Sequence, residues 1–184
     1  MKKNILALLL ALTFSCMGAH ANAQKDPMVG GAAMFPTKNI VENAINSKDH
    51  TTLVAAVKAA GLVKTLEGPG PFTVFAPTNE AFAALPAGTV DNLLKPENKP
   101  TLVKILTYHV VSGSLTTKDL KKMIKQGGGK AELTTVQGGR LTVTMKDGKY
   151  MLTDEKGGMA MITIPNVIQS NGVIQVVNAV LMPN

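Results

Sequence analysis

Over most of the chain the apolar positions recur at helical spacing; over the last third they alternate. Ile40, Val41, Ala44 and Ile45 form a first stripe. Leu53, Val54, Val57 and Ala60 form a second, with Asp49 placed to cap that helix and Gly61 to end it. Leu62, Val63 and Leu66 carry the apolar surface on to Gly68, Pro69, Gly70 and Pro71, which break it. Phe72, Thr73, Val74 and Phe75 then favour a strand. Pro77 stops it, and Thr78 stands as N-cap of a helix with Glu80 in its first turn and Phe82 behind. Pro86 and Gly88 end that helix, and Thr89 is placed to cap a short one through Leu94. Pro100 suits the first position of another helix, in which Leu102, Val103, Ile105 and Leu106 follow at helical spacing. This helix runs into Tyr108, His109, Val110 and Val111, a short β-type run closed by Gly113. Thr117 is placed to cap a further helix, with Leu120, Met123 and Ile124 inward and Lys118, Lys121, Lys122 and Lys125 outward.

From Ala131 the period changes to two. Leu141, Val143 and Met145 alternate with Thr142, Thr144 and Lys146, the pattern of a half-buried strand. Gly138 and Gly139 before it, and Asp147 and Gly148 after it, are hairpin signals. Residues 149–153 would pair back, and Gly157 and Gly158 would turn the chain into residues 160–164. Helices first and a β meander afterwards predict an α+β fold.

Three segments carry a family resemblance. Residues 72–82, reading Phe-Thr-Val-Phe-Ala-Pro-Thr-Asn-Glu-Ala-Phe, resemble the first signature of the fasciclin (FAS1) domain family. Tyr108, His109, Val110 and Val111 resemble its tyrosine-histidine segment, and residues 171–183 its second signature. The resemblance spans residues 37–183 and implies a FAS1 fold: a wedge-shaped β-sandwich with helices packed along one edge. It also implies an exported, non-enzymatic binding or cell-adhesion module. Two positions depart from the family pattern: Gln175 stands where histidine is frequent, and Asn178 where aspartate is common. Both keep hydrogen-bonding capacity and lose titration, so a structural bond survives there and a proton switch or metal ligand does not.

Composition refines this picture. Lys2 and Lys3, an apolar run from Ile5 to Phe14, and Ala21 and Ala23 around a cleavage pattern read as a secretory signal peptide over residues 1–23. An arm over 24–36 then leads into the domain at 37–184. Cys16 is the only cysteine and lies in the leader, so the mature chain has no disulfide and holds together by packing. Hydrophobic residues make up 45% and charged residues 17%, which suits a folded domain. Removing Lys2 and Lys3 with the leader lowers the formal charge from +7 to +5. A basic protein that is secreted or periplasmic favours anionic polymers or lipid head groups, and scattered lysines without interleaved aromatics argue against nucleic acid. Membrane contact is expected only through the removed leader.

The candidate chemistry is sparse. No nucleophile–base pair or metal-ligand spacing stands out, so no catalytic residue and no metal site is assigned. Asp147, Asp154 and Glu155 fall at turns and are expected in solvent. For Tyr108 and His109 the expectation is local packing and hydrogen bonding. The family's link with adhesion makes both candidate contacts for a surface or matrix partner, together with Lys118, Lys121, Lys122 and Lys125. Ten methionines suggest soft-metal chemistry, but Met159 and Met161, at i and i+2, are expected to share one buried face, so core packing is preferred over copper. Finally, some fasciclin-domain proteins bind carotenoids. That implies a possible apolar ligand, with Met28, Met34 and Phe35 of the arm folding over its groove.

Overall fold

The computed structural model describes residues 26–184. The leader assigned to residues 1–23, and Cys16 with it, lie outside the described residues. A small hairpin comes first, β1 (Met28–Val29) with β2 (Ala32–Ala33). Three helices follow: α1 (Ile40–Ala44), α2 (Thr51–Ala60) and α3 (Val63–Glu67). Then come β3 (Phe72–Pro77), α4 (Asn79–Ala83), α5 (Thr89–Leu93), α6 (Lys99–Tyr108), β4 (Val110–Ser112) and α7 (Thr117–Gln126). The chain ends in β5 (Lys130–Thr134), β6 (Arg140–Lys146), β7 (Lys149–Thr153), β8 (Met159–Gln169) and β9 (Gly172–Val177).

Seven strands run in the order β4-β3-β9-β8-β7-β6-β5. The first half of β8 pairs with β7 and the second half with β9, and register shifts between Ile162 and Val167 bend the strand between the two. Pro165 and Asn166, the latter at φ +57, occupy that bend, where a missing ladder donor and a left-handed turn are tolerated. The wedge is therefore two ladders sharing one long strand. A bridge from Val111 to Thr135, with the Val136 N–H donating to the Val110 carbonyl at 2.7 Å, nearly closes it on the far side.

Alternation along β3 divides the core. Val74 and Ala76 face α1, α2 and α6, while Phe75 faces a second cluster inside the sheet wedge with Tyr108, Leu120, Ile124, Leu141, Val143, Leu152 and Leu181. β9 is buried along its whole length and pairs with β3 in parallel, from Phe72↔Gly172 to Pro77↔Val177. The α+β architecture agrees with expectation, but this parallel closure is not part of a meander.

Several local expectations hold. Thr78 Oγ1 accepts from the Ala81 N–H at 3.3 Å, Gly61 ends α2 at φ +74, and Asp147 and Gly148 take the positive φ values of a primed hairpin turn. Others shift. Thr116, not Thr117, caps α7, because Asp119 three residues on closes a capping box with it. Gly88 occupies the cap position of α5, with Thr89 its first residue. Asp49 does not cap α2; it lies in a 3₁₀ turn, Lys48–His50. The Thr52 N–H instead donates to Asn79 Oδ1 at 3.0 Å, while Asn79 Nδ2 reaches the Lys48 carbonyl at 2.8 Å. A residue of the first signature thus fastens α4 to the start of α2.

Candidate functional site

Tyr108 and His109 do not enter a strand. Tyr108 is the last residue of α6 and His109 its cap, and both are buried, at 0% and 3% exposure. Of the β-type run expected over 108–111 only Val110 and Val111 are in a strand, because α6 extends through Tyr108 with His109 as its cap. His109 Nε2 accepts from the Leu181 N–H at 3.0 Å, so Nδ1 carries the proton and donates to the Ile105 carbonyl at 2.9 Å. Burial outweighs the Ile105 bond and the nearby Asp154 charge, and lowers its pKa to about 4. The His109 carbonyl also accepts from the Phe75 N–H at 2.9 Å. Tyr108 Oη donates to the Arg140 carbonyl at 2.6 Å and accepts from the Glu155 N–H at 3.2 Å, and burial pushes its pKa up to about 12. Neither side chain is presented to a partner; together they tie α6 to the sheet and to the C-terminal segment.

The acidic turn belongs to the same tie. Asp154 is buried, contrary to the solvent position expected for it. Its carboxylate accepts from the backbone N–H groups of Lys156, Gly158 and Met182. Glu155 accepts from those of Arg140 and Asn184, which hold its pKa below the usual carboxylate range. Gln175, fully buried, accepts from the Asn166 N–H at 2.9 Å and donates to the Leu115 carbonyl at 2.9 Å; Asn178 accepts from the Met161 N–H at 2.7 Å. Each departure from the family pattern is therefore a satisfied structural hydrogen bond.

The arm residues separate. Met34 is buried while Met28 and Phe35 are exposed, and Lys38 Nζ lies 5.1 Å above the Phe35 ring. Asn43 holds the arm by accepting from the Phe35 N–H at 3.1 Å and donating to its carbonyl at 2.8 Å. Behind Met34 a void of about 30 Å³ is lined also by His50 and Val74; His50 is 3% exposed, and among the described residues its Nε2 has no partner at hydrogen-bonding geometry. A larger cavity of about 70 Å³ lies between α1, α2, α3, α6 and β3, lined almost wholly by apolar groups such as Val54, Val57, Leu62, Phe72 and Leu106. None of Met28, Met34 and Phe35 lines it, so the arm is no cover for this cavity.

Lys118, Lys121, Lys122 and Lys125 are exposed on one side of α7, while Leu120 and Ile124 are buried on the other. Among the described residues the two ion pairs, Lys130–Glu132 and Arg140–Glu132, involve none of them. The described residues contain no group of three or more His, Cys, Asp or Glu side chains placed to share a metal ion.

These features define an α+β domain whose distinctive residues serve the fold and whose free chemistry lies on its surface. The chain belongs to the fasciclin domain family: residues 48–183 match the model of the fasciclin domain. The protein sll1483 of Synechocystis is 45% identical over 174 residues, which take in 95% of this chain and 89% of that protein. The cell surface glycolipoprotein MPB83 of Mycobacterium bovis is 32% identical over 166 residues, covering 90% of this chain and 64% of that protein. A solved FAS1 domain pair from the insect cell adhesion molecule fasciclin I has the same fold, with a TM-score of 0.69 at 19% identity, over 79% of this chain and 51% of that one.

Proposed function

We propose that this is an exported, non-enzymatic binding module that contacts anionic surface or matrix polymer through the lysine face of α7. The observation that carries it is the set of four exposed lysines, unpaired among the described residues, on one ten-residue helix anchored by Leu120 and Ile124. Opposite charge draws such a face to a polyanion, and salt weakens the contact. The similarity to a cell surface glycolipoprotein supports a surface setting. Retention on alginate or heparin across a salt gradient tests this. A variant with all four lysines changed to Gln elutes early; elution equal to that of the unsubstituted chain refutes the assignment.

The apolar lining of the cavity of about 70 Å³ is the observation behind a second reading, carriage of an apolar small molecule such as a carotenoid. The void is smaller than an engineered cavity of roughly 150 Å³ that accepts benzene. A pigment therefore enters only if the helices that line the cavity move apart. An absorption spectrum and mass spectrum of natively purified protein, showing neither colour nor a bound molecule, would count decisively against it.

A further inference from the structure

The outer face of the β5–β8 ladder presents Lys130, Glu132 and Thr134 on β5, Arg140, Thr142, Thr144 and Lys146 on β6, and Lys149 and Thr153 on β7. These polar and β-branched residues are what a solvent-facing sheet favours. The apolar exceptions are three methionines, and they are neighbours. Met151 on β7 is paired directly with Met161 on β8, and Met159 lies two residues before Met161, opposite Thr153. Their outward direction follows from what lies between them: Leu152 and Ala160, themselves a cross-strand pair, are buried at 0% and 1% exposure, as is Ile162. Met159 is 65% exposed, and Met151 and Met161 are half-buried on the same side. The expectation that Met159 and Met161 share a buried face is thus reversed. The alternating period is obeyed, but in the opposite phase.

We propose that Met151, Met159 and Met161 form a three-thioether site for a soft monovalent cation, Cu(I). Directly opposed side chains have Cβ atoms about 5 Å apart and diagonal neighbours about 7 Å, distances that long flexible side chains close around one ion. Neutral sulfur donors do not offset the hydration of a hard dication, whereas they suit a soft single charge. Around the cluster stand Thr144 opposite Met151, Thr153 opposite Met159, and Asn178, whose Oδ1 accepts from the Met161 N–H. Lys149 is the nearest cation along the β7 face. A thioether has no proton to lose, so this site, unlike one built from histidine or carboxylate, binds equally well in mild acid.

The test uses the full chain carrying Cys16→Ser, so that no thiol competes. Cu(I), kept reduced with ascorbate, is titrated against bicinchoninate at about pH 7 and about pH 5. The expected result is one retained equivalent at both values. The triple variant Met151→Leu, Met159→Leu and Met161→Leu keeps size and apolarity, and weakens retention by more than roughly tenfold, as loss of ligand-shell groups does. A variant with Met28→Leu and Met145→Leu, both exposed elsewhere, retains copper fully. A spectrum of the unsubstituted protein with ¹³C-labelled methionine methyls provides a readout independent of any variant's folding: three methyl signals shift with one equivalent of Cu(I). No retained copper, retention that falls away in acid, retention unchanged in the triple variant, or shifts confined to other methyls would each overturn the proposal.

Discussion

Acidification should destabilise this domain through His109. Its pKa in the fold is about 4, below the ordinary 6.5, because burial disfavours the charged ring and the Leu181 N–H occupies the nitrogen that would take the proton. The unfolded chain therefore binds the proton first. The stabilisation from a neutral His109 is complete above the unfolded value and is lost as the pH falls from about 6.5 towards 4. Between pH 7 and 5 these two values give a loss of about 2 kcal/mol. Burial lowers the pKa of His50 as well, which adds a loss of the same sign. Asp119, Glu132 and Glu155 have lowered values and lose their stabilisation only at lower pH, so this interval isolates the histidines. Urea unfolding followed by far-ultraviolet circular dichroism at the two pH values measures the change. The variant His109→Gln keeps an acceptor for the Leu181 N–H and cannot be protonated. It should be less stable at neutral pH yet lose about 2 kcal/mol less on acidification. If it loses as much as the unsubstituted chain, the buried neutral His109 is not the source.

Other substitutions separate local from tertiary contributions, with thermal or urea unfolding as the measurement unless stated. Thr78→Ala removes the α4 cap and should cost about 1 kcal/mol, whereas Phe75→Ala should cost about 3 to 5 as a core truncation; equal small losses would refute this division. Asn79→Ala should cost more than Thr78→Ala, about 2 kcal/mol, because it unmakes bonds to both Thr52 and Lys48. Gln175→Leu should cost about 1 to 3 kcal/mol by stranding the Asn166 N–H and the Leu115 carbonyl. Gly30→Ala places a Cβ against Ser47 Oγ and the Asp49 and Lys48 backbone nitrogens at φ +58, so the arm should lift and be clipped faster in limited proteolysis.

What was legible in the chain was what is decided nearby. Thr78 with Ala81, Asp147 with Gly148, and the two faces of α7 depend on residues within a turn or two of each other. What was not legible depends on distant partners or on phase. The α6 boundary at Tyr108 follows from the bond of His109 to the Ile105 carbonyl and from the wedge around Tyr108, which keep the strand that Val110 and Val111 form from reaching back to residues 108 and 109. Thr116 and Thr117 are equivalent as caps until Asp119 selects the one three residues before it. Period two does not state which face is inward; small Ala160, not its larger neighbours, settles the phase at 159–161. Asp154 resembles any turn acid until the C-terminal segment arrives to donate to it. The outward placement of the α7 lysines is legible in the chain, since charge on the outer face of an amphipathic helix needs no tertiary information.

The parallel ladder between β3 and β9 bears on how the molecule is made. Phe72 and Gly172 are partners 100 positions apart, and the opposite edge of β3 is held by β4 alone. A nascent chain can form α1, α2 and the β5–β7 hairpins early, but its central strand lacks half of its hydrogen-bond partners until β9 has been synthesised. Pairing over so long a separation is slow to nucleate. The domain is therefore poorly suited to locking into shape during synthesis, and a chain stopped short of β9 would expose β3 as an open sheet edge.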